Sequence, residues 1–208
     1  MSIIDQLAAC RIVPVVVIDD ATKAAALGAA MKAGGLPCAE VTFRTAAAAA
    51  SIKAIAADPE MVVGAGTVLT IDQAQAAVDA GARFLVSPGL SPTVVEWALQ
   101  RQIDIIPGVI TPTEIQQALE YGLKIVKFFP AASFGGAKTL KSLAAVYAGL
   151  RFVPTGGIDA TNIADYLAIP AVAACGGSWI CAPDLIKASN WSEITRLTTE
   201  AMALTRPR

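Results

Sequence analysis

The stretch KIVKFF, residues 124–129, is a short apolar run typical of a buried β-strand. Lys127 lies in the middle of it, between two pairs of large apolar residues. Lysine is almost never fully buried unless its amine has a partner. Two hypotheses follow for Lys127. Its amine reaches water at the end of the strand, or the amine is held in the interior as a neutral group for chemistry.

Runs of the same kind recur along the chain and alternate with longer, alanine-rich segments. We predict eight strands: RIVPVVVI (11–18), PCAEVTF (37–43), MVVGAG (61–66), RFLVS (83–87), DIIPG (104–108), KIVKFF (124–129), RFVPT (151–155) and AVAACGG (171–177). The repeating unit of roughly 26 residues is close to the shortest parallel crossover. Eight such units predict an α/β fold, a single (β/α)8 TIM barrel over residues 1–208. A doubly wound open sheet is the alternative, but no GxGxxG follows the first strand.

The segments between the strands carry the residue types that begin helices. SIIDQLAACR (2–11) precedes the first strand and predicts an extra N-terminal helix that closes the bottom of the barrel. Ser, Thr and Asp at the N-cap and Pro in the first turn mark the other starts. These predicted starts are Asp19-Asp20, Thr45, Thr70, Ser91-Pro92, Thr111-Pro112 and Asp159.

The composition restricts the class of protein. Hydrophobic residues make up 55% of the 208 residues and charged residues only 16%, with a formal net charge of −1. So few charges are typical of a parallel sheet covered by helices, or of a subunit interface. The near-neutral charge, without Lys/Arg clusters, predicts that the chain binds neither nucleic acid nor a membrane surface. The longest apolar run, IVPVVVI (12–18), is too short to span a membrane.

The cysteine and histidine content limits the chemistry. The four cysteines lie in apolar surroundings without CxxC spacing, which predicts buried free thiols: Cys10, Cys38, Cys175 and Cys181. Together with the lack of a recognisable secretion leader, this predicts a cytoplasmic protein. Histidine is absent from the sequence, so Ser–His or Cys–His pairs and His-based metal sites are excluded. Any acid–base catalysis then falls to Glu, Asp, Lys, Tyr or Cys.

Polar residues and glycines collect at the carboxyl ends of the predicted strands, where such barrels place their active sites. Side chains alternate along a strand, so Glu40, Thr42 and Arg44 share one face and the apolar residues between them share the other. Because the apolar side chains should face the helices, we predict that the polar three point into the barrel. The same alternation points Lys127 inward.

An inward lysine near an acid and an arginine is suited to imine chemistry. Burial disfavours the charged ammonium form, and the neutral amine is a nucleophile that condenses with a ketone or aldehyde to a Schiff base. The imine then withdraws electrons from the adjacent C–C bond and allows it to break. Since no histidine is present, Glu40 is the natural candidate for the proton shuttle.

Glycine pairs close the seventh and eighth predicted strands, in TGG (155–157) and GGS (176–178). Each pair precedes a predicted helix, and backbone N–H groups at such positions bind phosphate. The loops after strands seven and eight are also where barrels of this class commonly hold a phosphate group. We therefore predict a phosphate cradle at these two loops.

A set of short motifs follows one another along the chain: EVTFRT (40–45), GAGTV (64–68), SPG (87–89), IPG (106–108), KFFPA (127–131), PTGGI (154–158) and GGSW (176–179). Together they resemble the bacterial 2-keto-3-deoxy-6-phosphogluconate (KDPG) aldolases, which also act as 4-hydroxy-2-oxoglutarate aldolases. The resemblance runs from residue 3 to beyond residue 195.

This resemblance implies a (β/α)8 barrel, a homotrimer and a class I (Schiff-base) mechanism that needs no metal or other cofactor. The implied substrates are the phosphorylated keto acid KDPG, cleaved to pyruvate and glyceraldehyde 3-phosphate, and 4-hydroxy-2-oxoglutarate, cleaved to pyruvate and glyoxylate. The implied site residues are the Schiff-base Lys127, the acid/base Glu40, Arg44 and Thr67 for the pyruvate carboxylate, Pro88 and Phe129 as apolar walls, Arg11 at the substrate's mouth, and Gly156, Gly157, Gly177 and Ser178 for the phosphate.

Two other functions remain open on the residues alone. A phosphate-binding isomerase or epimerase would use Glu40 as its base and Lys127 as an electrophile, without a covalent imine. A trimeric scaffold derived from an aldolase would keep the barrel without catalysis. The joint presence of Lys127, Glu40 and Arg44 argues against such a scaffold.

Overall fold

Parallel strands form the centre of the molecule in the computed structural model, which describes residues 2–205. The strands within this range are β1 (Ile12–Val16), β2 (Cys38–Thr42), β3 (Val62–Gly66), β4 (Phe84–Val86), β5 (Asp104–Ile106), β6 (Gly108–Val109), β7 (Ile125–Phe128), β8 (Arg151–Pro154) and β9 (Cys175–Gly177). Each of them falls within or next to one of the eight apolar runs. Residues 1 and 206–208 of the predicted domain lie outside the described residues.

The strands close into a barrel. One row of paired strands has the order β5-β4-β3-β2-β1-β9 and a second row the order β6-β7-β8, all pairs parallel. Pro107, which has no N–H to donate, separates β5 from β6, so these two are halves of one barrel strand. A bridge between Thr155 and Gly176 joins β8 to β9 and completes the ring. The predicted (β/α)8 barrel is confirmed, and closure excludes the open sheet.

Helices surround the barrel and alternate with its strands. They are α1 (Ile3–Cys10), α2 (Ala24–Ala33), α3 (Ala48–Ala56), α4 (Ile71–Asp79), α5 (Pro92–Gln100), α6 (Pro112–Glu120), α7 (Gly136–Val146), α8 (Ile163–Leu167), α9 (Pro183–Lys187) and α10 (Trp191–Leu204). Short 3-10 turns lie at Ala21–Lys23, Ala132–Phe134 and Trp179–Cys181. Helix α1 is the predicted extra helix, and it ends directly before β1, at the amino-terminal end of the barrel.

Most helix starts follow the capping residues in the sequence. Thr70 and Thr111 accept hydrogen bonds from the third residue of α4 and α6, and Pro92 opens α5. Two predicted starts are wrong. The Thr45 hydroxyl donates to the Ile18 carbonyl instead of capping, and α3 begins only at Ala48. Asp159 accepts hydrogen bonds from Thr161 in a turn, and α8 begins four residues later, at Ile163.

The core has two layers, one inside the barrel and one between the barrel and the helices. Phe84, Phe128 and Phe152 are fully buried, and nearly every strand residue is buried on both faces, as expected for a parallel barrel. The four cysteines are buried free thiols, as predicted. None of the helices formed by residues 2–205 is long and apolar enough to cross a bilayer.

We expect replacement of Glu114 by Gln to destabilise the fold in a pH-dependent way. Burial alone would raise the pKa of the Glu114 carboxyl, but hydrogen bonds from the N–H groups of Ile110 and Thr111 and from the Thr111 hydroxyl outweigh it and lower the pKa. Gln keeps an acceptor for these donors but loses the negative charge at the helix N-terminus, so the replacement should cost about 0.3–1 kcal/mol of unfolding free energy at pH 7.

Because the folded pKa is depressed, the advantage of the wild type over Glu114→Gln is complete above the unfolded pKa. It should shrink as the pH falls below about 4 and the carboxylate is protonated. Urea unfolding at pH 7 and pH 3 measures this difference, with the exposed Glu120→Gln on the same helix as the control. If the difference in unfolding free energy between the wild type and Glu114→Gln is the same at both pH values, the Glu114 carboxylate does not stabilise the fold in this way.

Candidate active site

Lys127 and Glu40 meet inside the barrel, although they lie on strands far apart in the sheet order. The Lys127 Nζ donates to the Glu40 Oε1 at 3.3 Å, and the two residues are only 5% and 2% exposed. The amine therefore does not escape to water, and the predicted inward orientation of both side chains is confirmed. An ion pair so deeply buried is costly to assemble, and either charge left alone would cost more.

Glycines lie on the neighbouring strands beside both members of this pair. Strand β3 pairs with β2 so that Thr42 lies beside Gly66, and a Cβ at Gly66 would lie 2.2 Å from the Glu40 Oε1. On the other side, Gly108 is the register partner of Lys127, and a Cβ there would lie 2.0 Å from the Pro88 carbonyl oxygen. Both distances are far inside van der Waals contact, so these positions admit no side chain without movement.

Phe129 connects the buried pair to an open cavity. Its ring centroid is 5.0 Å from the Lys127 Nζ, within range of a cation–π contact, and its ring also lines the cavity. The cavity measures about 360 Å³ and opens at the carboxyl ends of the strands. It is lined by Val15, Val17, Arg44, Phe129, Thr155, Gly156, Gly157, Ile158, Gly176, Gly177, Ser178, Cys181 and Pro183.

The loop after β8 contains two consecutive glycines with positive φ values. Gly156 and Gly157 have φ values of +97° and +74°, a conformation that L side chains rarely adopt. Consecutive N–H groups in such turns form concave anion sites. On the adjacent loop, a Cβ at Gly177 would lie 1.8 Å from the Trp179 ring, so Gly177 lets that ring pack beside Ser178.

The structure brings most of the predicted site residues to this one cavity. Arg44, Phe129, Gly156, Gly157, Gly177 and Ser178 line it. Lys127 does not line the cavity, but its Nζ contacts both the Phe129 ring and Glu40. Thr67 and Pro88 follow β3 and β4 on the same end of the barrel but do not line the cavity. Thr67 is held at a φ of +56°, in the left-handed region.

Arg11 is not at the site, so its predicted place at the mouth is corrected. It is the C-cap of α1 and precedes β1, and its guanidinium donates to the Leu167 carbonyl at 3.2 Å. Leu167 is the last residue of α8, before β9. In a parallel barrel a residue before a strand lies at the amino-terminal end, opposite the cavity.

Seven residues that line the cavity were not among the predicted site residues: Val15, Val17, Thr155, Ile158, Gly176, Cys181 and Pro183. The sequence could have indicated Thr155, because it belongs to the PTGGI motif and is the last residue of a predicted barrel strand. Val15 and Val17 share one face of the first predicted strand, but alternation does not say which face is inside when every residue is apolar.

The pKa values of three side chains on or after β8 and β9 are shifted by their surroundings. Burial raises the pKa of the Cys175 and Cys181 thiols to about 12, so both stay protonated at neutral pH and are poor nucleophiles. Hydrogen bonds from the Thr161 hydroxyl and N–H lower the pKa of the Asp159 carboxyl. Within residues 2–205 no three His, Cys, Asp or Glu side chains lie close enough together to hold a metal ion.

We expect Gly66→Ala to destabilise the protein by about 1–3 kcal/mol, because the new methyl group collides with the Glu40 carboxylate and forces it off its position. The unfolding free energy in urea measures the effect. Gly89→Ala is the matched control, since a Cβ at Gly89 meets nothing within 4 Å. Equal unfolding free energies of the two variants would show that the Glu40 side chain can move to another position without cost.

Comparison with known proteins places this geometry in a family. The family model for KDPG and KHG aldolases matches residues 3–197. A 2-dehydro-3-deoxy-phosphogluconate aldolase of Treponema pallidum is 45% identical over 205 residues, covering 98% of both chains. A KHG/KDPG aldolase of Escherichia coli K12 is 43% identical over 192 residues, covering 92% of this chain and 90% of that one.

Solved structures agree with the sequence relatives. The KDPG aldolase of Legionella pneumophila, with pyruvate captured as a covalent carbinolamine, is 40% identical, covers 95% of this chain and 97% of its own, and superposes with a TM-score of 0.91. The KDPG aldolase of Zymomonas mobilis ZM4 with 3-phosphoglycerate is 39% identical, covers 98% and 97%, and gives a TM-score of 0.90. The chain belongs to the KDPG and KHG aldolase family of carbon–carbon lyases, as the motifs predicted.

Proposed function

We propose that the protein is a class I aldolase that cleaves KDPG to pyruvate and glyceraldehyde 3-phosphate, and also cleaves 4-hydroxy-2-oxoglutarate to pyruvate and glyoxylate. One observation carries the proposal: a buried lysine in contact with a buried glutamate, at 3.3 Å, beneath a cavity that ends in a glycine cradle. Imine formation needs an amine, a proton shuttle and a place for the substrate, and this arrangement supplies all three.

Lys127 and Glu40 perform the covalent steps in this proposal. The Lys127 amine attacks the C2 carbonyl of the keto acid, and the carbinolamine loses water to give a protonated imine. Glu40 takes the proton of the C4 hydroxyl as the C3–C4 bond breaks, and the bonding electrons move into the imine as an enamine. A proton returned to C3 and hydrolysis of the imine release pyruvate and restore the amine. The 3.3 Å contact between the Lys127 Nζ and the Glu40 Oε1 supports this proton transfer.

Two further groups hold the pyruvate half of the substrate. Arg44 is exposed and is the charged residue among those that line the cavity, so its guanidinium suits a carboxylate. Thr67 follows the Gly66 that packs on Glu40, and this position supports a role for its hydroxyl in binding the carboxylate. Phe129 and Pro88 supply apolar walls around the lysine.

The glycine cradle holds the phosphate of KDPG. Backbone N–H groups of the loop at Gly156 and Gly157, with Gly177 and Ser178 beside it, offer donors without a competing acidic side chain in the cavity lining. 4-Hydroxy-2-oxoglutarate has a carboxylate where KDPG continues to its phosphate, so its cleavage depends on the lysine end alone. The E. coli relative bears both activities in its name.

The family resemblance supports proposals about the domain organisation, oligomeric state, location and partners of the enzyme. We propose one barrel domain over residues 1–208, a homotrimer in solution, a cytoplasmic location, and no nucleic-acid or membrane partner. Exposed apolar side chains such as Leu69, Val146 and Phe134 are available for contacts between subunits. Light scattering gives the mass that decides the oligomeric state.

Lys127→Ala is expected to abolish cleavage of both substrates. Incubation of the wild type with pyruvate, followed by borohydride and peptide mass spectrometry, should find one reduced pyruvate on Lys127, and none in the variant. Lys124→Ala is the control, because Lys124 is exposed at the start of the same strand run. Circular dichroism verifies that the variant is folded, and a folded Lys127→Ala with unaltered turnover would refute the imine role.

Glu40→Gln keeps the shape of the side chain and removes its ability to carry a proton. We expect kcat to fall by roughly 10²–10⁴, the usual contribution of a positioned acid–base group. The pH–rate profile should lose the limb that the carboxyl causes in the wild type, whereas Glu120→Gln should leave it in place. A profile shared by Glu40→Gln and the wild type would mean that another group moves the proton.

A further inference from the structure

The phosphate cradle depends on the orientation of two consecutive peptide groups, Gly156–Gly157 and Gly157–Ile158. A peptide group is planar and its N–H points opposite to its carbonyl. The N–H of Gly157 or Ile158 can therefore face a ligand only while the Gly156 or Gly157 carbonyl faces the other way. Within residues 2–205, neither N–H donates to a protein acceptor, and all three residues line the cavity.

The two carbonyls are held by different means. The Ala132 N–H donates to the Gly156 carbonyl at 3.0 Å, so a neighbouring loop fixes the first peptide through the backbone. The Asn162 Nδ2 donates to the Gly157 carbonyl at 2.9 Å, so a side chain fixes the second. With φ at +74°, Gly157 has the conformational freedom that would let an untethered peptide turn over.

Asn162 stands at the N-cap of α8 but does not cap it. An asparagine at that position ordinarily accepts a hydrogen bond from the first turn of its helix. Here its side chain makes no such bond, and instead the Oδ1 accepts from the Asp159 N–H at 3.1 Å while the Nδ2 holds Gly157. Both halves of the amide thus bind the loop that contains the cradle. Asp159 directs its own carboxylate to Thr161.

We propose that Asn162 is a positioning residue that keeps the Gly157–Ile158 peptide turned so that its N–H faces the substrate's phosphate. Without it, the Gly157 carbonyl can rotate into the cavity and present a negative dipole to the phosphate. The residue acts on the phosphorylated end of the substrate and leaves the imine chemistry at Lys127 untouched. The inference rests on the proposed function and identifies what sets its preference for phosphorylated substrates.

Asn162→Ala tests the proposal through the ratio of two activities. For KDPG we expect kcat/KM to fall by about tenfold or more, mainly through KM, which is the equivalent of one lost hydrogen bond. For 4-hydroxy-2-oxoglutarate we expect kcat/KM to stay within about twofold, since it has no phosphate. Asn190→Ala, which removes the asparagine that caps α10, should leave the ratio unchanged. An equal fall for both substrates, or no fall for either, would overturn the proposal.

Two further measurements keep the test decisive. If Asn162→Ala does not fold, Asn162→Asp is the second variant, because it keeps an acceptor for the Asp159 N–H but has no N–H to donate to the Gly157 carbonyl. The ratio of kcat/KM for KDPG to kcat/KM for 4-hydroxy-2-oxoglutarate must then fall by about tenfold or more. If the wild type neither cleaves KDPG nor traps pyruvate, the proposed function fails by itself. Calorimetry with glycerol 3-phosphate then tests the cradle alone: tenfold weaker binding by the variant supports the role of Asn162, and equal binding or none by the wild type overturns it.

Discussion

Two opposite charges meet out of reach of water in the barrel interior, Lys127 on β7 and Glu40 on β2, and much of the surrounding structure serves that contact. Desolvation of an ammonium and a carboxylate costs several kcal/mol each, and close approach offsets only part of it. A fold selected for stability alone would favour apolar side chains there. The pair is therefore the part of the barrel that stability explains least.

Side chains are missing at several strand positions around this pair. Gly66 and Gly108 flank Glu40 and Lys127 on the neighbouring strands, and a methyl group at either would collide with the carboxylate or with the Pro88 carbonyl. Gly64, two residues before Gly66, similarly lies under the Phe84 ring, 2.4 Å from where its Cβ would be. Glycine in a strand weakens it. Here the space left by the missing side chains is filled by the Glu40 carboxylate at Gly66, the Pro88 carbonyl at Gly108 and the Phe84 ring at Gly64.

The sequence predicted the barrel well, because eight apolar runs and the helices between them leave few other ways to bury both faces of a sheet. It also predicted the inward turn of Glu40 and Lys127, since alternation is strict in a strand. Its errors have local causes. Thr45 and Asp159 are residue types that often cap helices, but here both make other hydrogen bonds. The Thr45 hydroxyl donates to the Ile18 carbonyl, and the Asp159 carboxylate accepts from the Thr161 N–H within a turn. Arg11 is adjacent to a strand in sequence, and only the direction of that strand shows that it lies at the wrong end.

The hydrogen bonds of the Asn162 side chain could not be predicted from the sequence. Its type and position suggest a helix cap, and nothing in the spacing says that both ends of its amide turn back toward Gly157 and Asp159. The two ends of the cavity therefore differ in how they are built. The lysine end is rigid because its groups project from paired strands. The cradle end is a loop whose second peptide is oriented by a side chain. In the proposed function, catalysis and phosphate recognition can then be altered separately, because the contacts that orient Lys127 and Glu40 do not orient the Gly157–Ile158 peptide.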